Sequence, residues 1–448
     1  MVHTRFIFES YTFQSDKRRI ELKYSLDGEV HFTEVIEFGA DFVFEEYDHQ
    51  ALDRALFALH LAGGASYYKT YCPKEIVIQS GVLNQKEAMF WNTLYTKGLG
   101  EFFYRNRLDF HDLISFPVGA ETHVRLDEVQ HSAELPQRVL VPFGGGKDSV
   151  VSAELLRAND ITETLFRVNG HAIIDELAET AALPLLTIRR TLSPELHRLN
   201  EQGALNGHIP ITAYITFLSM VVAMLGGYEA VVFSNERSAD YGNVLYLGME
   251  INHQWSKSAE AEDLLRAYIR QSIGGPVRYM NPLRALSELH IVKLFTRYPQ
   301  YFSEATSCNR NWRLLDDHPQ HNKWCGECPK CAFVFALMAA FLPMEKVSAI
   351  FGKNLFEDKS LLGLYRQLWG IEGFKPFECV GTPEETQAAF YLATQRSDYA
   401  QTYIGKLFMT DVLPLMADPA SVVDSLLMPS TGSLSSAERT ILEKGMTT

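Results

Sequence analysis

Two short runs of residues carry most of the chemistry open to this chain. The first is Gly144-Gly145-Gly146-Lys147-Asp148-Ser149, which follows a β-rich run at 138–143 and precedes a helical pattern. Three glycines let the backbone turn tightly and approach a ligand with no Cβ in the way. Free N–H groups at the start of the next helix then face an anion, and the helix dipole adds partial positive charge. Lys147 and Ser149 add donors. Asp148 alone would repel a phosphate, a conflict that a bridging Mg²⁺ resolves. Val141 and Asp148 stand where a Walker A loop needs glycine and Ser or Thr, and Ser149 where a dinucleotide fingerprint needs glycine. The second run is Cys325-Gly326-Glu327-Cys328-Pro329-Lys330-Cys331, with Cys308 seventeen positions ahead of it. Two-residue gaps bring two sulfurs to one ion, and four thiolates suit tetrahedral zinc. An iron–sulfur cluster is the competing metal reading, and reduced free thiols the plain one. A metal here would staple helices together rather than do chemistry.

Positioning the first run takes a parallel sheet. Strand patterns at 138–143, 164–168, 185–188 and 230–233 alternate with helical patterns at 150–157, 173–182 and 211–225. That order predicts an α/β fold, a doubly wound parallel sheet with ligands beyond the carboxyl ends of its strands. The fourth strand runs directly into Ser234-Asn235-Glu236-Arg237-Ser238-Ala239-Asp240, so Asn235, Glu236, Arg237 and Asp240 are further site candidates. Asn252 to Ser256 reads as a surface loop with a packed Trp255.

Before this unit, residues 1–134 show alternation at 6–8, 20–24 and 32–36, with Asp27-Gly28 as a hairpin turn. Helical spacing follows, so this is an α+β N-terminal domain, with Ser66-Tyr67-Tyr68-Lys69 as a packed aromatic pair beside a surface lysine. The phosphate-loop domain candidate spans 135–337, with the cysteine run near its end. Residues 338–448 read as helical, broken by an irregular segment from Gly370 to Thr382 and ending in a Ser/Thr-rich tail expected to fray.

The formal net charge of −14 argues against a nucleic-acid partner, which wants a basic face. Met1–Ser10 has neither a basic start nor a sustained apolar run, and the most apolar stretch, Ile211–Leu225, is short and carries hydroxyls. The expectation is a cytoplasmic chain with no membrane partner.

Residues 144–149 resemble the PP-loop of ATP pyrophosphatases, Ser-Gly-Gly-x-Asp-Ser, with Gly144 in place of the first serine. That resemblance implies ATP as the ligand, cleaved between its α- and β-phosphates. The cysteine spacing is similar to that of 7-cyano-7-deazaguanine synthase, a PP-loop enzyme with structural zinc. Over longer stretches the chain resembles the MurL-type epimerase family: HLAGGASYYK (60–69), VPFGGGKDSV (141–150), FSNERSA (233–239), NPLRALSELHIVKLF (281–295), WCGECPKCAFVF (324–335) and KPFECVGT (375–382). The resemblance implies an isomerase of peptidoglycan precursor synthesis. It would invert the terminal L-glutamate of a UDP-linked muramoyl dipeptide to D-glutamate, through a carboxyl-adenylate, with release of AMP and pyrophosphate.

On that reading Gly144 to Ser149, Asn235 and Arg237 hold nucleotide, and Lys147 and Asp148 serve catalysis. Glu378 and Cys379, in the irregular segment, are the candidates for proton transfer, with His208 and His253 as alternatives. Lys375, Arg237, Arg284, Arg310 and Arg313 are candidates for substrate anions. For each of these a buried thiol, a surface Glu–Lys pair or an ordinary surface arginine is the plain alternative. The rival functions are another adenylating PP-loop enzyme that forms an amide or a deazaguanine nitrile, a tRNA thiolase, and a nucleotide sensor without turnover.

Overall fold

A computed structural model describes residues 3–119, 134–312 and 323–447, so Arg313 lies outside the described residues. The chain opens with three antiparallel strands, β1 (Arg5–Gln14), β2 (Arg19–Leu26) and β3 (Val30–Phe38). Asp27 and Gly28 join β2 to β3 at φ 56° and 77°. Two consecutive positive φ angles, closed by Glu29 N–H donating to Leu26 O at 3.0 Å, match the right-handed twist of the flanking strands. Helix α1 (His49–Tyr68), strand β4 (Glu75–Ile78) and helices α2 (Gln85–Gly98) and α3 (Gly100–Asn106) complete this segment.

The second segment alternates as its pattern predicts: β5 (Arg138–Pro142), α4 (Lys147–Arg157), β6 (Thr162–Val168), α5 (Ala172–Ala181), β7 (Leu185–Thr191), α6 (Pro194–Glu201), α7 (Ile211–Leu225) and β8 (Ala230–Val232). A small hairpin, β9 (Val244–Tyr246) and β10 (Met249–Ile251), precedes α8 (Ala259–Tyr268) and β11 (Arg278–Met280). Helices α9 (Glu288–Phe295) and α10 (Pro329–Ala339) follow, and the chain is mainly helical from Met344 onward.

One nine-stranded sheet carries both segments, in the order β11-β8-β5-β6-β7-β3-β2-β1-β4. Its β11-to-β7 half is wholly parallel, and β3 then pairs antiparallel to β7, with Ile36 opposite Arg190. A chain division at 134 is therefore not a division of the sheet. The seam is pinned by charge. Arg190 Nε and Nη2 each donate to the buried Glu34 carboxylate at 2.9 Å, and Tyr67 and Tyr214 donate to it at 3.0 and 2.7 Å. Tyr67 thus belongs to the aromatic core. Lys69 is not a surface lysine: it is buried, donating to Asn206 Oδ1 at 2.5 Å and Gly207 O at 3.0 Å.

Each sheet face has its own apolar core. One includes α1, α7 and α8 against Leu140, Phe166 and Val231; the other includes α4, α5, α9, α10 and the C-terminal helices against Val139, Val141 and Val232. The apolar run Ile211–Leu225 is a core helix, with Phe217, Leu218 and Val221 fully buried. Among the described residues no single helix is long and apolar enough to cross a membrane.

The tail departs from expectation. Ser436–Thr447 is a helix whose Ile441 and Leu442 are wholly buried. Glu438 accepts from the Asn281 N–H at 2.6 Å and from Arg266 Nη2 at 2.5 Å, and Asn159 Nδ2 reaches the Ile441 carbonyl at 2.9 Å. Burial of two aliphatic side chains and one fully paired carboxylate outweighs the turn-prone composition around it.

Candidate active site

Strand order reverses at β5: the next strand in sequence, β6, lies on one side of it and β8 on the other. A crevice opens beyond the carboxyl ends of strands at such a point. The glycine run leaves β5 there and residues 233–240 leave β8, so topology brings the two predicted segments to one place. Gly145 takes φ 78°, a conformation that side chains rarely adopt. Gly146 caps α4 without any side-chain hydrogen bond to its first turn. A Cβ on Gly144 would meet nothing within 4 Å, whereas one on Gly145 would meet Trp312 at 3.3 Å and Ile174 at 3.4 Å. The loop is therefore gripped on one flank, where Thr306 N–H also donates to Gly145 O at 3.0 Å, and open at Gly144. The fit to an anion is good: glycine backbone, an open side and a helix start with no competing cap. Ser149 is turned back, donating to Gly146 O at 3.0 Å.

Behind the loop lies a buried ionic network. Lys147 donates to Asp148 Oδ1 at 2.6 Å and to Glu288 Oε2. Burial works against the Lys147 ammonium, but the Asp148 and Glu288 carboxylates outweigh it and hold its pKa above the ordinary lysine range. Glu288 is wholly buried in the first turn of α9. Burial would raise its pKa, yet Lys147 and then Lys330, whose Nζ lies 3.5 Å away, keep it low. Asp148 is raised, first by burial and then by Glu288 and Glu236, with Lys147 opposing. A further carboxylate, Glu385, accepts from Glu288 N–H at 2.7 Å and Thr382 N–H at 2.8 Å, and burial pushes its pKa up to about 7.

The irregular segment from Lys375 to Val380 is laid against this network by backbone contacts. Asn243 Nδ2 donates to Lys375 O and Pro376 O at 3.1 and 2.8 Å, and Gln254 Nε2 to Val380 O at 3.0 Å. Lys330 Nζ donates to Cys379 O. These contacts fix Cys379 beside Lys257 and His253. Burial raises the Cys379 thiol, but Lys257, then His253, bring it down to about 7. His253 is lifted to about 9 against burial by its hydrogen bonds to Cys379 and to Glu101. Asn252 to Ser256 is thus largely interior, with Asn252, Gln254, Trp255 and Ser256 buried and His253 half-buried. Lys375 is buried too, donating to Tyr241 O at 2.9 Å, and burial lowers its pKa to about 8.

Other predicted residues lie elsewhere. Glu378 is held by Asn309 Nδ2, next to Cys308. Asn235 is knitted into the strand ends, its N–H donating to Asn281 Oδ1 at 3.1 Å. Arg237 lines a cleft of about 340 Å³ with Ser238, Tyr241, Ser287, Thr382 and Glu385. Arg284 is buried against Glu262 at 3.0 Å and braces Glu236 O, so it is a scaffold residue, and Arg310 pairs with Glu327 at 2.9 Å. His208 lies beside His253, with ring centroids 4.6 Å apart and planes inclined by 44°. Glu101, His208 and His253 lie within 4.8 Å of one another and offer donors for an ion. The carboxylate there already serves His253 and Arg105.

The four cysteines do converge. Sγ separations are 3.8 Å for Cys308–Cys328, 3.6 Å for Cys325–Cys331 and 3.5 Å for Cys328–Cys331, and no pair is a disulfide. Four sulfurs at ~2.3 Å from one zinc are about 3.8 Å apart, so the cluster can hold a metal and is compatible with Zn²⁺. A four-iron cluster puts each cysteine on a different iron and needs wider spacing.

Lys257, Lys330, Glu288, Glu385 and Glu101 belong to this candidate site without having stood out in the sequence. Lys330 carried one signal, a charge set between two cysteines at the head of the apolar run Ala332–Ala336.

Comparison with known proteins gives a consistent result. Residues 2–281 match the MurL N-terminal domain and residues 304–421 the MurL C-terminal domain. A UDP-N-acetyl-alpha-D-muramoyl-L-alanyl-L-glutamate epimerase of Xanthomonas oryzae pv. oryzae is 39% identical over 412 residues, 92% of this chain and 90% of the relative. A protein of the same name from Salinispora tropica is 38% identical over 438 residues, 95% of this chain and 92% of the relative.

Proposed function

The chain belongs to the MurL family, and from that premise we propose that it inverts the terminal L-glutamate of UDP-MurNAc-L-Ala-L-Glu in a reaction driven by ATP. The observation that carries the ATP part is the open glycine loop at the strand-order reversal, backed by the buried Lys147–Asp148–Glu288 network. The α-proton beside a carboxylate is hard to remove, because the anion resists further negative charge. Attack of that carboxylate on the α-phosphorus of ATP gives a carboxyl-adenylate and pyrophosphate. The neutralised acyl group then makes the α-proton more acidic.

The residues divide the work. Loop amides of Gly144 to Lys147 bind the triphosphate, and Lys147 counters its charge. Asp148 would hold Mg²⁺, which supplies positive charge to the departing pyrophosphate. The cleft beside Arg237 and Tyr241 takes the UDP-bearing part of the substrate. The segment carrying Cys379 faces the acyl group, where Lys257 favours developing negative charge.

The test is direct. The protein is incubated with MgATP and UDP-MurNAc-L-Ala-L-Glu, the product is hydrolysed, and glutamate is resolved on a chiral column. D-Glutamate should form together with AMP and pyrophosphate. Its absence, with AMP appearing only when ammonia is added, would instead mark an amide- or nitrile-forming PP-loop enzyme.

Zinc is assigned to Cys308, Cys325, Cys328 and Cys331 as a staple between the 306–312 flank of the loop and α10. Metal analysis should give about one zinc per chain in the wild type and a clear loss in Cys328→Ser. The variant should melt roughly 5 °C lower, because metal binding is folding energy at such a site. Unchanged melting with the metal gone would show that the cluster is not a staple.

A further inference from the structure

We propose that Cys379, His253 and Glu101 form a nucleophile–base–carboxylate triad that takes the activated glutamyl group from AMP as a thioester. This rests on the adenylate reading above and adds a covalent step to it.

The arrangement is that of an acyl-transfer site. A nucleophile touches an imidazole, and the imidazole is oriented through its other nitrogen or edge by a third group. Here Glu101, buried on α3, engages His253 Nδ1, and Cys379 lies close enough to His253 that each shifts the other's pKa. Arg105 Nε holds the Glu101 carboxylate at 3.2 Å, so the orienting group is itself fixed. Three elements distant in sequence supply the triad, and the backbone bonds from Asn243, Gln254 and Lys330 pin the Cys379 segment. A proton-transfer thiol needs only a neighbouring cation. Lys257 already provides one, which leaves the oriented imidazole and its carboxylate unexplained by that role.

Cys379 is also linked electrostatically to the loop network: Lys257, though buried, is kept charged by Cys379, Glu236, Asp148 and Glu288 together. The Cys379 thiol is depressed, first by Lys257 and then by His253, and the His253 ring is raised by Cys379 and Glu101, so the three groups act on one another as a unit. His208, next to that ring, is kept neutral by burial, which lowers it to about 4.

The step balances without any redox partner. The Cys379 thiolate attacks the acyl carbon, an S–C bond forms, the C–O bond to AMP breaks, and AMP leaves with the electron pair. A thioester acidifies its α-carbon, because sulfur donates poorly into the carbonyl. Acylation removes the thiolate beside His253, whose ring gives up its extra proton to solvent; the free imidazole then takes the α-proton, and water returns one on the opposite face. Water then cleaves the S–C bond, regenerating the thiolate and releasing a carboxylate and two protons. The net consumption is one ATP and one water.

The experiment uses the full-length protein, MgATP, and substrate radiolabelled in its glutamate, quenched in acid during the first turnover. The denatured protein should retain label approaching one per chain, on the peptide carrying Cys379, and neutral hydroxylamine should release it. Pyrophosphate and AMP should both appear in a burst equal to the enzyme. In Cys379→Ala, pyrophosphate should still be released while AMP stays bound in the acyl-adenylate, and label on protein should fall at least about tenfold. Cys379→Ser, nearly isosteric, should hold label as an oxygen ester that hydroxylamine removes more slowly, which guards against a folding defect in the alanine variant. D-Glutamate formed in the wild type with no protein-bound label at any time, or a free AMP burst in a folded Cys379→Ala, would overturn the triad and return Cys379 to proton transfer. Absence of pyrophosphate release in the wild type would sink the adenylate reading itself, and the thioester with it.

Discussion

Asp148→Ala is expected to cut substrate-dependent pyrophosphate release by roughly 10³-fold or more, the scale of losing a group that controls charge in the transition state. Asp148 stands in the first turn of α4, where a carboxylate next to a phosphate site makes sense only with a metal between them. It also fixes Lys147 at 2.6 Å, so its removal lets the lysine swing fully onto Glu288. The measurement is a coupled pyrophosphate assay at saturating MgATP, with circular dichroism to confirm folding. Ser149→Ala is the control. Its hydroxyl is already committed to Gly146 O, so its effect should be smaller by at least about tenfold. Normal release from Asp148→Ala would remove the magnesium role from this residue.

The second large effect is on stability. Glu288→Gln leaves Lys330 buried without its carboxylate and Lys147 with Asp148 alone, in a region where Glu288 is wholly inaccessible. Removing one member of a buried pair typically costs about 3–5 kcal/mol, because the remaining charge is left uncompensated. The loss should be read as a lower midpoint of the first urea transition. The double variant Glu288→Gln with Lys330→Met should recover part of it, since the orphaned cation is then gone. A Glu288→Gln chain that unfolds with the wild type would mean that water or neighbouring groups neutralise these lysines.

What the sequence made readable was contiguous. Gly144 to Ser149 sits on one loop, and the identity of each residue restricts the ligand class. The cysteines at 325, 328 and 331 sit on one helical turn and its approach, so spacing alone brings their sulfurs together. The alternation from β5 to β8 reported the parallel half of the sheet, because buried strands there are runs of aliphatic residues. The ionic network behind the loop was illegible for the converse reason. Lys257, Glu288, Lys330 and Glu385 are single charges in four separate elements, and each looks like an ordinary polar residue until the fold removes water around it. Glu101 and His253 are 152 positions apart and meet only because α3 and the turn after β10 are neighbours. The fusion of the sheet at β3 and β7 was hidden too. Arg189 and Arg190 lie just beyond the 185–188 strand pattern, and only the pairing of β7 with β3 shows that Glu34 meets Arg190.

The fused sheet also dictates an order of events on the ribosome. Strand β3 completes its pairing only after residue 191 has been made, more than 150 residues behind it. Until then the antiparallel meander presents an open strand edge that invites pairing with other chains, and Glu34 sits there without its guanidinium. The nascent N-terminal segment is thus a natural client for holding chaperones. Expression of residues 1–134 alone should give aggregates, whereas a break placed after β7 should be better tolerated.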